Sequence, residues 1–407
     1  MEIILKAINV LLYISQIWLM SYFVIVVIFV IADILNVRLT KIPAWNKPQE
    51  KNYSFAVIVP LHQNIDFLEP ILDSLLKQQY RNLHFFVIAD DCPVIDLPYQ
   101  DERIHILYPP AALHSKIKSI QLALSNIDEQ KFDAIAIFDA DNLVHPEFFT
   151  VINSYFNKGY RAVQSNILPK NIDTTFARLD TINDQYYNFI DRLSPARLHL
   201  SAHIAGRGTV IDLKMYKSVS YTNFFGGFDK KLQCELAKKY VIGYAPDAKL
   251  YDEKVSDGNS MQKQRTRWIN AYFRYFSEAW KIFLRGIGTG NFRLAFFGYN
   301  NMRPPLFIQF FAAFALFATS FFVLPAMLLP WTVVLTAYLL SFLYIVIFKN
   351  SLLSVRQSVK AVMQIPLFVS RQVRALLNIK KANKSFLQTN NYKAVFIDDI
   401  MQGNTAK

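Results

Sequence analysis

The chain has few cysteines: Cys92 and Cys234 are the only two among 407 residues. Two isolated thiols exclude a disulfide framework and fit a reducing cytosol. There is no internal repeat and no low-complexity tract, so a solenoid or a compositionally biased linker protein is excluded as well. Acidic residues are also in short supply, 31 against 44 lysines and arginines, leaving a net charge of +13. A basic balance suits nucleic acid, an anionic membrane surface or anionic substrates. No nucleic-acid-binding motif is present, which leaves the last two.

Charge is missing altogether from two stretches. Residues 7–32, between Lys6 and Asp33, carry none, and neither do residues 304–348. The first is long enough to span a bilayer, and it is too long and too poor in a following small-residue site for a cleaved signal peptide. The second fits two spans broken near Pro325 to Pro330. Hydrophobic residues make up 53% of the chain, and the mean hydropathy is +0.18. Arg38, Lys41, Lys47 and Lys51 follow the first span, and Lys349, Arg356 and Lys360 follow the last. The positive-inside rule then puts the N-terminus outside and both the long middle region and the C-terminus in the cytosol.

Between the spans, apolar runs alternate with helical periodicity. After a polar linker with Pro43 and Pro48, Phe55-Ala-Val-Ile-Val-Pro60 reads as a buried strand. Leu68, Ile71, Leu72, Leu75 and Leu76 recur at helical spacing, with Asp66 placed to cap that helix. Phe85-Phe-Val-Ile-Ala89 is a second strand, ending at Asp90 and Asp91, and residues 104–108 are a third. A helix over 115–125 leads to a strand over 134–138, which runs directly into Asp139 and Asp141. This β–α–β alternation predicts an α/β, Rossmann-like parallel sheet. Such sheets bind ligands at the carboxyl ends of their strands. Two carboxylates there can hold a divalent cation, Mg2+ or Mn2+, which would neutralise a diphosphate. The bland alternative is a solvated acidic loop.

At this point the motifs, taken together, resemble a family. They are Val57-Ile-Val-Pro-Leu-His-Gln-Asn64, Val87-Ile-Ala-Asp-Asp-Cys92, His114-Ser-Lys116, Phe138-Asp-Ala-Asp-Asn142, Gly206-Arg-Gly-Thr-Val-Ile211 and Gln264-Arg-Thr-Arg-Trp268. In this order, over roughly residues 55–270, they resemble a family 2 glycosyltransferase with a GT-A fold, of the membrane-embedded polysaccharide-synthase kind (the cellulose and hyaluronan synthase superfamily). The resemblance implies a nucleotide-sugar donor held by Asp90, Asp91, Lys116, Asp139, Asp141 and Arg267. A carboxylate can accept the N3–H of uracil, so a UDP-sugar is expected. Asp139 and Asp141 match the family's metal and ribose-diphosphate aspartates.

The family's general base is the aspartate of a Glu-Asp pair upstream of a Tyr-x-Pro turn, here Tyr244-Ala-Pro246. The match is Asp229, but Phe228 stands where the family has glutamate; Glu235 reads as a surface neighbour. Gln264, Arg267 and Trp268 match the Gln-x-x-Arg-Trp motif and share one helix face. Arginine can hold a diphosphate and tryptophan can stack on an acceptor sugar. Gly206 matches a segment beside the acceptor. His145 and His203 are more often structural residues than ligands.

The expected organisation is an N-terminal transmembrane helix over 1–40 and a cytosolic GT-A domain over 50–280. An interfacial segment over 281–303 follows, then two transmembrane helices over 304–349 and an amphipathic interfacial helix over 350–379. A polar tail over 380–407 ends the chain. The expected activity is inverting, metal-dependent sugar transfer to a growing polysaccharide, with membrane lipid around the chain and no nucleic-acid partner. Two rivals stand: transfer of a single sugar to a lipid-linked acceptor, and a catalytically weak scaffold, for which Phe228 speaks.

Overall fold

In the computed structural model the described residues are 2–37, 50–221, 227–379 and 394–403. Eight strands form one sheet: β1 (Phe55–His62), β2 (Leu83–Asp90), β3 (Ile104–Leu107), β4 (Ala134–Ile137), β5 (Leu143–Val144), β6 (Ala162–Pro169), β7 (Thr209–Asp212) and β8 (Gly243–Asp252). Their order is β3-β2-β1-β4-β7-β6-β8-β5. The first four are parallel, as the β–α–β alternation predicts. The rest of the sheet is mixed, not parallel. β7 runs antiparallel to both β4 and β6, and β5 runs antiparallel to β8. The reason lies in the connections: the chain leaves β6 and enters β7 from the same edge, through the loop at Gly206, so β7 runs back alongside β6.

Along β1 the side chains alternate between two cores. Phe55, Val57 and Val59 join one buried cluster and Ala56 and Ile58 the other. The helices, in chain order, are α1 (Glu2–Ile34), α2 (Leu68–Leu76), α3 (Lys116–Asn126), α4 (Phe148–Asn157), α5 (Thr175–Asn188), α6 (Ser194–Arg197), α7 (Leu213–Lys217), α8 (Phe228–Ala237), α9 (Gly258–Gly288), α10 (Phe292–Asn301), α11 (Leu306–Ser320), α12 (Leu328–Leu343), α13 (Val355–Met363), α14 (Ile365–Leu377) and α15 (Ile397–Met401). Helices α2 and α4 cover the first core, and α3, α7 and α8 cover the second. The result is a three-layer α/β/α sandwich. Asp66 does not cap α2. Phe67 is the N-cap residue, with no side-chain bond, and the Asp66 amide instead donates to Asn64 Oδ1 at 2.7 Å. The local Asx turn has taken the backbone that a cap would need.

Among the described residues two helical stretches are long and apolar enough to cross a membrane, Lys6–Ile34 and Pro325–Phe348. A third crossing exists only if α10 and α11, bent by 85°, count as one broken span. The break expected near Pro325 falls just before it, where α11 ends and residues 321–324 lead into a 3-10 turn at Pro325–Met327. Helix α1 packs on α11 and α12 around Phe23, Trp331 and Tyr338. Inside that cluster Gln16 Oε1 accepts from Trp331 Nε1 at 2.8 Å. Where α1 reaches the α/β domain, the Asp33 carboxylate is paired with both Arg197 and Lys349.

Three of the expected boundaries differ in the structure. Residue 280 lies inside α9, which is one continuous helix. The amphipathic stretch after 350 is two helices, divided at Gln364 before Pro366. The polar tail contains α15, whose Ile397 and Ile400 are buried against Leu143. The linker at 42–49 lies outside the described residues, as do 380–393 and 404–407.

Candidate active site

Because β1, β2, β4, β6 and β8 all point the same way, their C-terminal ends, together with the start of β7, make one edge. His62, Asp90, Asp139 and Asp252 fall on it, and the Gly206–Gly208 turn enters β7 from it. Gly206 (φ +75°) and Gly208 (φ +63°) both occupy the left-handed region, where a side chain is strained. A Cβ on Gly208 would also lie 2.7 Å from Leu250 Cδ2. Above this edge is a cavity of about 850 Å³, lined by Asp90, Lys116, Asp139, Gly206, Asp229, Arg267 and Trp268 among others. Seven of the ten residues singled out by sequence therefore face one space. Asp91, Asp141 and Gln264 do not line it.

Asp90 is 1% exposed. Its carboxylate accepts from the Leu113 amide (2.6 Å), the His114 amide (3.0 Å) and His62 Nδ1 (3.0 Å). It thus anchors the loop ahead of α3 as well as facing the cavity. Asp91 sits outside, with φ +55°, and accepts from Gln63 Nε2 at 2.8 Å.

Lys116 opens α3 and ties the edge together. It pairs with Asp139, donates to the Gly206 carbonyl at 3.0 Å and lies 5.2 Å over the Phe228 ring. This contact gives Phe228 a role: where a carboxylate would pair with the lysine, the negative face of an aromatic ring meets it. Burial works against ionised Asp139, but the charges of Lys116 and Arg207 outweigh it and hold its carboxyl below the usual range. Asp141 behaves oppositely. Burial, then the neighbouring carboxylates of Asp252 and Asp139, push it up to about 7. Its backbone carbonyl accepts from Lys170 Nζ at 2.8 Å.

Behind the edge is a layer of buried charge that the sequence motifs did not single out. Arg207, within the Gly-Arg-Gly turn, pairs with Asp252 at 2.7 Å; Lys254 bridges Asp184 (2.6 Å) and Asp252 (3.2 Å). Arg265 pairs with buried Asp180, and its guanidinium stacks 4.2 Å from the Trp268 ring. The indole is 38% exposed. These partners come from β8, α5 and the loops around them, far apart in sequence. The usable signals were Arg207 between two turn glycines and the unassigned arginine inside Gln264-Arg-Thr-Arg-Trp268. Gln264 turns away from the cavity, and its Oε1 is buried with no hydrogen-bond partner among the described residues.

Asp229 lies in the first turn of α8, just after the left-handed Gly227. Its Cβ is close to Gly206: a Cβ built on that glycine would stand 3.3 Å from it. Glu235 is turned to Lys231 (2.7 Å) and Lys238 (3.0 Å), away from the cavity. His145 Nδ1 accepts from the Glu147 amide and closes a turn. His203 is buried, 3.6 Å from Asp191.

A family model described as glycosyltransferase like family 2 matches residues 52–271, more than half of the chain. The chain belongs to this glycosyltransferase family. Its fold is GT-A. The glycosyltransferase is similar over 92% of its length to the mannosyltransferase PcManGT from Pyrobaculum calidifontis, solved in complex with GDP-Man and Mn2+. That match covers 99% of the mannosyltransferase, at 13% identity and a TM-score of 0.52. It is also similar to residues 1–349 of S. aureus TarS in complex with UDP-GlcNAc. There the identity is 11% and the TM-score 0.36, covering 61% of this chain and 89% of the other. Among curated proteins none matches the chain.

Proposed function

We propose that this glycosyltransferase transfers a sugar, with inversion, from a nucleoside-diphosphate donor to a lipid-linked acceptor at the cytosolic membrane face. One observation carries the reading. A single cavity has nucleotide-type residues (Asp90, Lys116, Asp139) at one end, and Arg303, Pro304 and Pro305, where the chain turns into α11, at the other. Asp229 lines the same cavity. An acceptor hydroxyl beside it attacks the anomeric carbon and gives its proton to the carboxylate. The bond from that carbon to the diphosphate breaks, and the nucleoside diphosphate leaves with the electron pair. Lys116 and Arg267 face the departing charge. Trp268, braced from behind by Arg265, offers a flat apolar surface to a sugar ring.

The donor set at the edge suits Mg2+ or Mn2+. Among the described residues no group of three or more histidine, cysteine or carboxylate side chains forms a ready-made cage. Asp141 instead meets the carboxylates of Asp252 and Asp139, and a cation beside it would relieve that repulsion. Hard cations of this kind bind through one or two carboxylates and complete their shell with water and phosphate oxygens. When bound, the cation supplies Lewis-acid neutralisation of the leaving diphosphate.

Sequence alone points to a growing polysaccharide as acceptor. Two clear spans and one sharply bent pair among the described residues offer little wall for a translocation path. That favours the single addition. The test is the purified protein in detergent, offered UDP- and GDP-sugars with Mn2+ or with EDTA. Metal-dependent release of one nucleoside diphosphate supports the reading, and release unaffected by EDTA ends its metal part. With a lipid-linked acceptor, a single added sugar is expected; long polymer would restore the processive alternative.

A further inference from the structure

The membrane end of the cavity has more cations than it uses. A π-helical turn at Phe189–Leu193 directs Asp191 and Arg192 into it, Lys230 comes from the first turn of α8, and Arg303 comes from the α10–α11 bend. Isolated π turns recur at functional sites. Asp191 is satisfied by Arg303 and by Asn300 Nδ2 (3.2 Å). Arg192 donates through Nε to the His203 carbonyl at 3.3 Å. Neither Arg192 nor Lys230 has a carboxylate partner among the described residues. Their charges nonetheless converge, since both act on His203 and Lys230 also acts on Asp191. Even with Asp229 counted, cations outnumber carboxylates here by three to two. The donor's diphosphate does not account for them. Its proposed partners, Lys116 and Asp139, pair with each other at the sheet edge, where Lys116 also donates to the Gly206 carbonyl. Just past Arg303, α11 begins its apolar run with Phe311 and Phe314 exposed.

We infer that Arg192, Lys230 and Arg303 form a phosphate subsite for the acceptor, which is a lipid joined to its sugar through phosphate. This rests on the proposed sugar transfer to a lipid-linked acceptor and names its chemical class. The phosphate sits against the two uncommitted cations, the lipid chain leaves along α11, and the sugar's hydroxyl reaches Asp229. The acceptor O–H loses its proton to Asp229, its oxygen bonds to the donor's anomeric carbon, and the nucleoside diphosphate departs with the electrons of the broken bond. The phosphate in the subsite is unchanged throughout.

The test compares two acceptors with the full-length protein in detergent: a short-chain prenyl-diphosphate monosaccharide and the alkyl glycoside of the same sugar. The phosphate-linked acceptor should be favoured in kcat/KM by roughly tenfold or more, as expected for charge-assisted contacts. In the double variant Arg192→Gln/Lys230→Gln that preference should vanish through a raised acceptor KM, while the nucleotide-sugar KM stays within about twofold. The conservative Arg192→Lys/Lys230→Arg pair should recover part of it. Equal use of both acceptors by the wild type overturns the inference, and so does a variant that weakens both equally. Phosphatidylglycerol vesicles or inorganic phosphate competing as well as the prenyl diphosphate would also overturn it, by marking a general anion site. Failure of the wild type to bind or turn over any nucleotide sugar would instead sink the proposed transfer itself.

Discussion

At the scale of single residues, the site depends on which charges are committed. Asp139 is paired with Lys116, whereas no hydrogen bond or ion pair within the described residues holds the Asp229 carboxylate. Asp229→Asn keeps the shape and removes the proposed base. It should lower turnover by about 10²–10⁴-fold with nucleotide affinity unchanged, as measured by initial rates and by titration of the nucleoside diphosphate. Glu235→Gln, removing a carboxylate that faces two lysines, should leave turnover near wild type in the same assay. The buried pair of His203 and Asp191 makes a pH prediction. Burial, against the pull of Asp191, pushes the His203 imidazole down to about 3. The unfolded histidine titrates near 6.5. Between those values the unfolded chain holds one more proton than the folded one, so stability rises with pH. Thermal melts should therefore lose stability as pH falls below about 6.5, by up to about 1.4 kcal/mol per unit from this group. His203→Gln should flatten that slope.

At the scale of elements, α9 joins chemistry to membrane. It starts on Asp257, whose carboxylate caps the Asn259 and Ser260 amides. It then carries Arg265, Arg267 and Trp268, and ends packed on α10. That packing is backbone against backbone. A Cβ on Gly298 would lie 2.7 Å from Phe283 Cα and 2.9 Å from the Ala279 carbonyl oxygen. Neither atom belongs to a flexible side chain, so Gly298→Ala must push the helices apart. It should cost about 1–3 kcal/mol, the range for overpacking, read as a lowered melting temperature in detergent. Gly288, with nothing within 4 Å of its built Cβ, is the control. Gly288→Ala should be neutral or stabilising by about 0.4–1 kcal/mol.

At the scale of the whole molecule, α1 and α12 pack together and the catalytic sandwich is tied to them through Asp33, Arg197 and Lys349. From the basic flanks of the apolar runs we propose that this sandwich is cytosolic. The native cysteines test this without engineering, because Cys92 is partly exposed and Cys234 is buried. A membrane-impermeant maleimide should leave Cys92 unlabelled in intact cells and label it once the membrane is opened. Labelling of intact cells would reverse the topology.

The chain's own pattern determined the parallel half of the sheet, the two long apolar spans and seven of the ten residues it assigned to the site. Those features are local: a continuous apolar run in β1, charge-free length in α1, and acids placed directly after strands. Tertiary structure decided the rest. The antiparallel entry of β7, the withdrawal of Gln264 and Asp91 from the cavity, and the docking of α15 depend on partners that no short window contains. The same holds for Arg265 behind Trp268, held by Asp180 some eighty residues earlier, and for the cationic pole of Arg192, Lys230 and Arg303, drawn from three separate elements. A charge's role is set by what neutralises it, and buried neutralising partners are brought together by folding rather than by sequence.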